Sequence, residues 1–145
     1  MAAQWQDVVN NFWNNSGFTF GKCKVKFKIA VQYSNFPMTL AYAKTYENIV
    51  EVDQKRVDSF VDVDGGQQGW WAPTAGAAGG GTVAHETGHL LGLPDKYIDF
   101  ADQWGLRASR PMQGFENDIM GNSQHGHVTP WDVRRIVRTH GCSCN

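Results

Sequence analysis

The chain has 145 residues, 41% of them hydrophobic and only 19% charged, with six Trp and eight Phe, which excludes a disordered polyampholyte and supplies one buried core but not two domains of ordinary size. A formal net charge of −1 excludes a protein whose affinity comes from neutralising many phosphates, so no nucleic acid partner is expected. No apolar run approaches the ~20 residues that a bilayer span needs, so no membrane partner is expected either.

From the N-terminus, "MAAQWQDVVNNFW" lacks the basic and then apolar regions of a signal peptide, which points to a chain that is either not secreted by that route or cut from a longer precursor. Trp5, Val8, Val9 and Phe12 recur at helical spacing and "NNSG" follows, so residues 4–14 read as an amphipathic helix. In "KCKVKFKIAVQY" Cys23, Val25, Phe27, Ile29 and Val31 alternate with lysines, the pattern of a half-buried strand. Shorter β signals follow in "NIVEVD" and "SFVDVDGG", the second closed by a turn at 64–66, and together they predict a mixed sheet ahead of residue 70. The lysine run and the acidic run behind it read as solvated faces. "DVDGGQQG" reads as a turn rather than a calcium loop.

Residues 69–81, "GWWAPTAGAAGGG", read as a glycine-rich loop whose tryptophans belong either to the core or to an apolar pocket beside a cleft. Residues 96–128 show little periodicity and read as largely loop. Over 130–140 the signals of a helix agree: Thr129 as N-cap, Pro130 at the first helical position, Asp132 to complete the cap and Gly141 beyond the end. Of the three cysteines, Cys142 and Cys144 are too close for an easy bridge to each other, so one disulfide to Cys23 with one thiol left over is expected in an oxidising compartment.

The chemistry concentrates in "HETGHLLGLPD", residues 85–95. On a helix, His85 and His89 stand one above the other on one face and can share a metal ion. Gly92 can end the helix in the left-handed conformation and Pro94 prevents its continuation, so the chain can double back and bring Asp95 to the same ion. Three protein ligands with an open position are the arrangement of a catalytic Zn2+ site, not a closed structural one. Glu86, about 100° round the helix from His85, lies beside the metal, where it can take a proton from an attacking water and deliver it to a departing amine. On composition alone, His-Glu-x-x-His arises in roughly 0.5% of such chains. The competing reading is a core helix with two hydrogen-bonded histidines.

The string His-Glu-x-x-His-x-x-Gly-x-x-Asp resembles the zinc-binding consensus of the metzincin metalloproteases, and most of all that of the snapalysin-like small bacterial neutral proteases. "NDIMGNS", with Met120, is similar to the Met-turn of that clan. The resemblance is strong over residues 82–95 and 117–123. It implies an α+β fold in which a small mixed twisted β-sheet joins an N-terminal helix, an active-site helix and a C-terminal helix after a Met-turn, with an edge strand that pairs with the peptide substrate. It implies His85, His89 and Asp95 as zinc ligands, Glu86 as general base and acid, and Met120 as the supporting methionine. Some members carry a tyrosine two residues after that methionine; here the position is Asn122, and Tyr97 and His125 are the candidates for a transition-state or substrate contact. Under the gluzincin pattern Glu116 would be the third ligand instead, although "QGFEND" does not read as a helix.

The expected function is zinc-dependent endopeptidase activity on a protein or peptide substrate, in a single catalytic domain spanning 1–145. Two settings fit: a secreted bacterial protease freed from a propeptide, or a toxin domain delivered outside the producing cell, where an inhibitor or immunity protein would be a partner. The alternative from another class is a catalytically silent zinc-containing binding module, against which the intact Glu86 argues.

Overall fold

The computed structural model describes residues 2–15, 17–31, 48–52, 55, 59–61, 68–73, 80–101 and 103–141. Helix α1 (Ala2–Asn14) buries Trp5, Val9 and Trp13, each four residues from the next and so on one face. Trp13 is fully buried; its indole N–H donates to Ala84 O at 3.3 Å and its ring meets Phe27 edge-on at 5.3 Å. A buried Trp needs such an acceptor, and finding it on Ala84 ties α1 to the helix that carries the histidines.

After α1 come the two-residue strands β1 (Thr19–Phe20) and β2 (Cys23–Lys24), an antiparallel hairpin. Burial beyond β2 alternates as the sequence predicts, with Val25, Phe27, Ile29 and Val31 half-buried and the lysines exposed. The expected continuous strand is nevertheless not formed, since no strand among the described residues pairs with residues 25–31. Side-chain amides of α1 take the partner's place. Asn14 Nδ2 donates to Phe27 O (2.9 Å) and Asn14 Oδ1 accepts from Phe27 N (2.8 Å). Asn10 treats Ile29 the same way at 2.8 and 3.3 Å, and Gln6 Oε1 accepts from Val31 N at 3.0 Å. One helical turn advances ~5.4 Å and two extended residues ~6.6–6.8 Å, close enough for amides one turn apart to serve alternate residues.

The mixed sheet ahead of the histidines is formed by β3 (Ile49–Val52), β4 (Phe60–Val61) and β5 (Gln68–Trp71). β5 is central, parallel to β3 and antiparallel to β4. The loop expected from residue 69 therefore starts later, because Gly69, Trp70 and Trp71 belong to β5. Period-two alternation separates the adjacent tryptophans: Trp71 is buried against Trp5, whereas Trp70 stacks on Phe60 across the strand pair. The turn at 64–66 and residues 74–79 of the glycine-rich segment lie outside the described residues.

Helix α2 (Gly81–Leu90) follows, buried on nearly every side. Between 96 and 128, read from the sequence as loop, the chain instead makes an antiparallel ribbon, β6 (Tyr97–Ala101) with β7 (Arg107–Pro111), turned around Gly105. Ile98 and Phe100 of this ribbon are exposed, which removes the buried face that would have made its strands visible as a hydrophobic pattern. Helix α3 (Pro130–His140) has the predicted bounds and a complete capping box: Thr129 accepts from Asp132 N, and Asp132 accepts from Thr129 N. His140, at its end, donates from Nε2 to Leu91 O at 3.1 Å and so meets a free carbonyl at the end of α2.

Among the described residues the architecture is thus α+β, three helices with small sheets, around a core of Trp5, Val9, Trp13, Trp71, Val83, Leu93, Ile119, Met120, Val128, Val133 and Ile136. No helix among the described residues is long and apolar enough to cross a membrane. Cys23 is disulfide-bonded, and Cys142 and Cys144 lie outside the described residues.

The amide ladder makes a specific expectation. Asn14→Ala strands the N–H and C=O of Phe27 in a partly buried place and should cost about 1–3 kcal/mol, read as a lower denaturant midpoint. A midpoint equal to that of the wild type would mean that water replaces the amide without loss.

Candidate metal centre

His85 and His89 project from one face of α2 with ring centroids 4.8 Å apart and perpendicular planes. His85 Nδ1 lies 2.9 Å from Ile119 O and His89 Nδ1 lies 2.8 Å from Leu93 O. A carbonyl oxygen only accepts, so Nδ1 carries the hydrogen in both rings. Each Nε2 of a neutral ring then presents a lone pair inward, and the two nitrogens stand 3.2 Å apart.

The end of α2 brings the third group. Gly92 N donates to His89 O and Leu93 N to Gly88 O, with Gly92 at φ 88°, which is a Schellman stop that an L side chain would strain. The same stop delivers Leu93 O to His89 Nδ1, so the turn that ends the helix also orients one of its histidines. Two residues later Asp95 Oδ1 lies 3.2 Å from both His85 Nε2 and His89 Nε2. Among the described residues, His85, His89 and Asp95 form the one group of three able to hold a metal ion.

Donor chemistry supports the fit. Tetrahedral zinc with bonds of ~2.0–2.1 Å keeps its ligand atoms about 3.3–3.4 Å apart, against three observed separations of 3.2 Å. Two lone pairs and a carboxylate oxygen at that spacing repel unless a cation lies among them. In the metal-free protein a proton serves. Burial alone would lower the pKa of His89, but the hydrogen bond and charge of Asp95, the Leu93 carbonyl and the charge of Glu86 outweigh it and raise it to about 9. Asp95 feels the opposite balance: burial would raise it, while hydrogen bonds and charge from His85 and His89 hold it well below the usual carboxylate range.

The other expected residues divide into near and far. Glu86 is 4% exposed, close enough for its charge to act on His89 and on Tyr97. Tyr97 is half-buried, its ring stacked 6.0 Å from His85 and near enough to Asp95 for that carboxylate to act on its hydroxyl. Burial first, and then that carboxylate, push the phenol well above its ordinary value, so it stays a neutral donor. Met120 is fully buried under α2, where its Sδ and Cε face Gly88. His125 is exposed on the turn after Met120 and belongs to no such group. Glu116 is exposed as well, and its Oε1 accepts from Gly114 N at 3.1 Å instead of facing the histidines. Sequence reasoning missed Lys96, which is 3% exposed and paired with Asp118 and Asp132; a lysine between two candidate site residues carries no pattern that marks it as buried.

Two expectations follow from this geometry. Replacing a helical glycine by alanine ordinarily stabilises by about 1 kcal/mol, but a methyl at Gly88 collides with Met120 Sδ. Gly88→Ala should therefore destabilise, by about 1–3 kcal/mol, and Met120→Ala should relieve part of that in a double-mutant cycle; a stabilised Gly88→Ala protein would mean that Met120 yields freely. The second concerns pH. In metal-free protein the raised pKa of His89 contributes stability fully below its ordinary 6.5 and loses it as pH rises through about 9. The lowered pKa of Asp95 contributes above its ordinary 3.8 and is lost in stronger acid. Thermal melts of chelator-treated protein should fall between pH 6.5 and about 10, whereas stabilisation by added zinc should grow from pH 6 to 8, since ligation needs neutral imidazole. A metal-free midpoint independent of pH over that interval would contradict the shared proton.

No protein-family model, no curated protein and no solved structure matches this chain.

Proposed function

We propose that this chain is a zinc-dependent endopeptidase, with His85, His89 and Asp95 as the metal ligands and Glu86 as general base and acid. One observation carries the reading: two Nε2 lone pairs and one carboxylate oxygen meet at mutual distances of 3.2 Å, beside a buried glutamate on the same helix. When bound, zinc supplies a Lewis acid that polarises the scissile carbonyl and makes a water molecule acidic enough to attack at neutral pH.

The protein's own groups do the rest. Glu86 accepts the proton of the attacking water and passes it to the leaving amine, which must depart protonated. Tyr97, kept neutral beside Asp95, offers a hydroxyl from which a developing oxyanion would accept a hydrogen bond. His125 and Glu116 take no part. The bonded Cys23 suits a protein that works in an oxidising place, in keeping with a secreted enzyme or a delivered effector domain.

The test pairs metal analysis with proteolysis. Purified wild type should hold one zinc per chain and degrade unfolded casein. Glu86→Ala should keep the zinc and lose about 10²–10⁴-fold in turnover. Asp95→Ala should weaken zinc binding by about 100-fold or more, as a direct ligand counts for at least as much as the outer-shell partners of one. Wild-type protein without zinc would return the histidines to a structural role, and zinc without cleavage would point to a silent binding module.

A further inference from the structure

Lys96 stands between Asp95 and Tyr97 in the chain, yet its side chain turns away from both. Its Nζ lies 2.8 Å from Asp118 Oδ2 and 2.5 Å from Asp132 Oδ1, and all three side chains are at least 96% buried. The ammonium also sits 3.7 Å over the Trp131 ring and 4.8 Å from that of Phe115, so aromatic faces roof the ion pairs. The hydroxyl of Thr129 lies 3.0 Å from Asp118 Oδ2 and 2.9 Å from Asp132 Oδ2, and its single proton serves one of them at a time. Burial, with the charge of Asp118, pushes the Asp132 carboxyl up, and the hydrogen bonds of Lys96 and Thr129 pull it back.

The main chain of Lys96 is anchored as firmly. Its N–H donates to Met120 O at 2.9 Å and its carbonyl accepts from Met112 N at 2.8 Å. Asp118 Oδ1 in turn accepts from Met120 N at 2.9 Å, and Ile119 O accepts from His85 Nδ1. One turn, residues 118–121, therefore orients His85 on one side and receives Lys96 on the other. Asp95 is 41% exposed in its side chain and its neighbour Pro94 has no N–H to donate, so the backbone that presents its carboxylate to the histidines is anchored through the residue that follows.

We propose that Lys96 is the positioning residue of the ligand triad: its buried pairing with Asp118 and Asp132 fixes the backbone between Asp95 and Tyr97 against the turn that also orients His85. It touches neither ligand nor substrate, and it acts through the backbone. The inference rests on the metal reading above and adds a residue to it that no metal-binding pattern contains. A buried ion pair is a poor source of stability compared with apolar packing, so its use here calls for another reason, and a unique placement of the 95–97 segment supplies one.

The probe is Co2+ alone, added to chelator-treated protein and followed by visible absorption, which reports both affinity and ligand geometry. Lys96→Met would leave two buried carboxylates unpaired, so the main variant removes the charges together: Lys96→Met, Asp118→Asn and Asp132→Asn, which keeps the amide oxygens that accept from Met120 N and Thr129 N. Asp132→Asn alone loosens one anchor and carries the test if the triple variant does not fold. Val9→Ala opens a cavity on α1 and serves as the stability control. Expected are one cobalt per wild-type chain, a 10–100-fold weaker Kd with an altered spectrum in the triple variant, an effect of about threefold in Asp132→Asn, and an unchanged Kd in Val9→Ala. Folded variants with the wild-type Kd and spectrum, or a Kd that merely follows thermal stability so that Val9→Ala weakens it equally, would overturn the role of Lys96 alone. A wild type that binds no cobalt would overturn the metal reading and this inference with it.

Discussion

Two backbone carbonyls, those of Ile119 and Leu93, each accept a hydrogen bond from the Nδ1 of a histidine, and the character of the site depends on that choice of partner. Because a carbonyl cannot donate, both rings are held in the tautomer that turns the Nε2 lone pair inward. Were either acceptor replaced by a donor, the ring would present N–H to the centre and repel a cation. The two carbonyls come from very different places. One is exposed by the Schellman stop of α2 and the other by the turn ahead of α3, so the orientation of two residues four apart in sequence is decided 34 residues away as well as locally.

That dependence explains the density of packing between α2 and the 118–121 turn. Met120 fills the space under Gly88, where no side chain fits, and its backbone is held from both sides, by Asp118 at the N–H and by Lys96 at the carbonyl. Interiors packed at this density transmit small displacements without absorbing them. The buried charges of Lys96, Asp118 and Asp132 lie on the far side of the same turn, where desolvation is costly and is offset by mutual pairing, by the cap of α3 and by the Trp131 face. The α3 capping box is thus one part of a network that reaches the residue beside a candidate ligand.

Much of the secondary structure was legible where local rules are strong. α1 and α3 lie as their periodicity and caps predict, since a helix with one apolar face and a complete capping box needs no distant information. Alternation between residues 23 and 31 correctly named the half-buried side chains but not the hydrogen-bond partner. The amides of Gln6, Asn10 and Asn14, spaced four apart on one helical face, were the available signal, and its meaning depends on what lies opposite. The β6–β7 ribbon was missed because its apolar residues face solvent, so the chain between Tyr97 and Pro111 shows no pattern of burial to read.

The sequence by itself determined the composition of the site: histidines four apart on a helix, a glutamate between them, a glycine that ends the helix and an aspartate just beyond. Each is a short-range relation, set by helical pitch and by the conformations open to glycine and proline. Only the tertiary structure decided which nitrogen of each ring faces inward, that Tyr97 and not His125 lies beside the candidate ligands, that Glu116 stays away, and that a buried lysine braces the segment. Those outcomes depend on the acceptors and carboxylates that distant segments bring alongside, Ile119 O for His85 and Asp118 and Asp132 for Lys96. Pairings across 22 to 36 residues follow from how the core closes, and no local spacing encodes them.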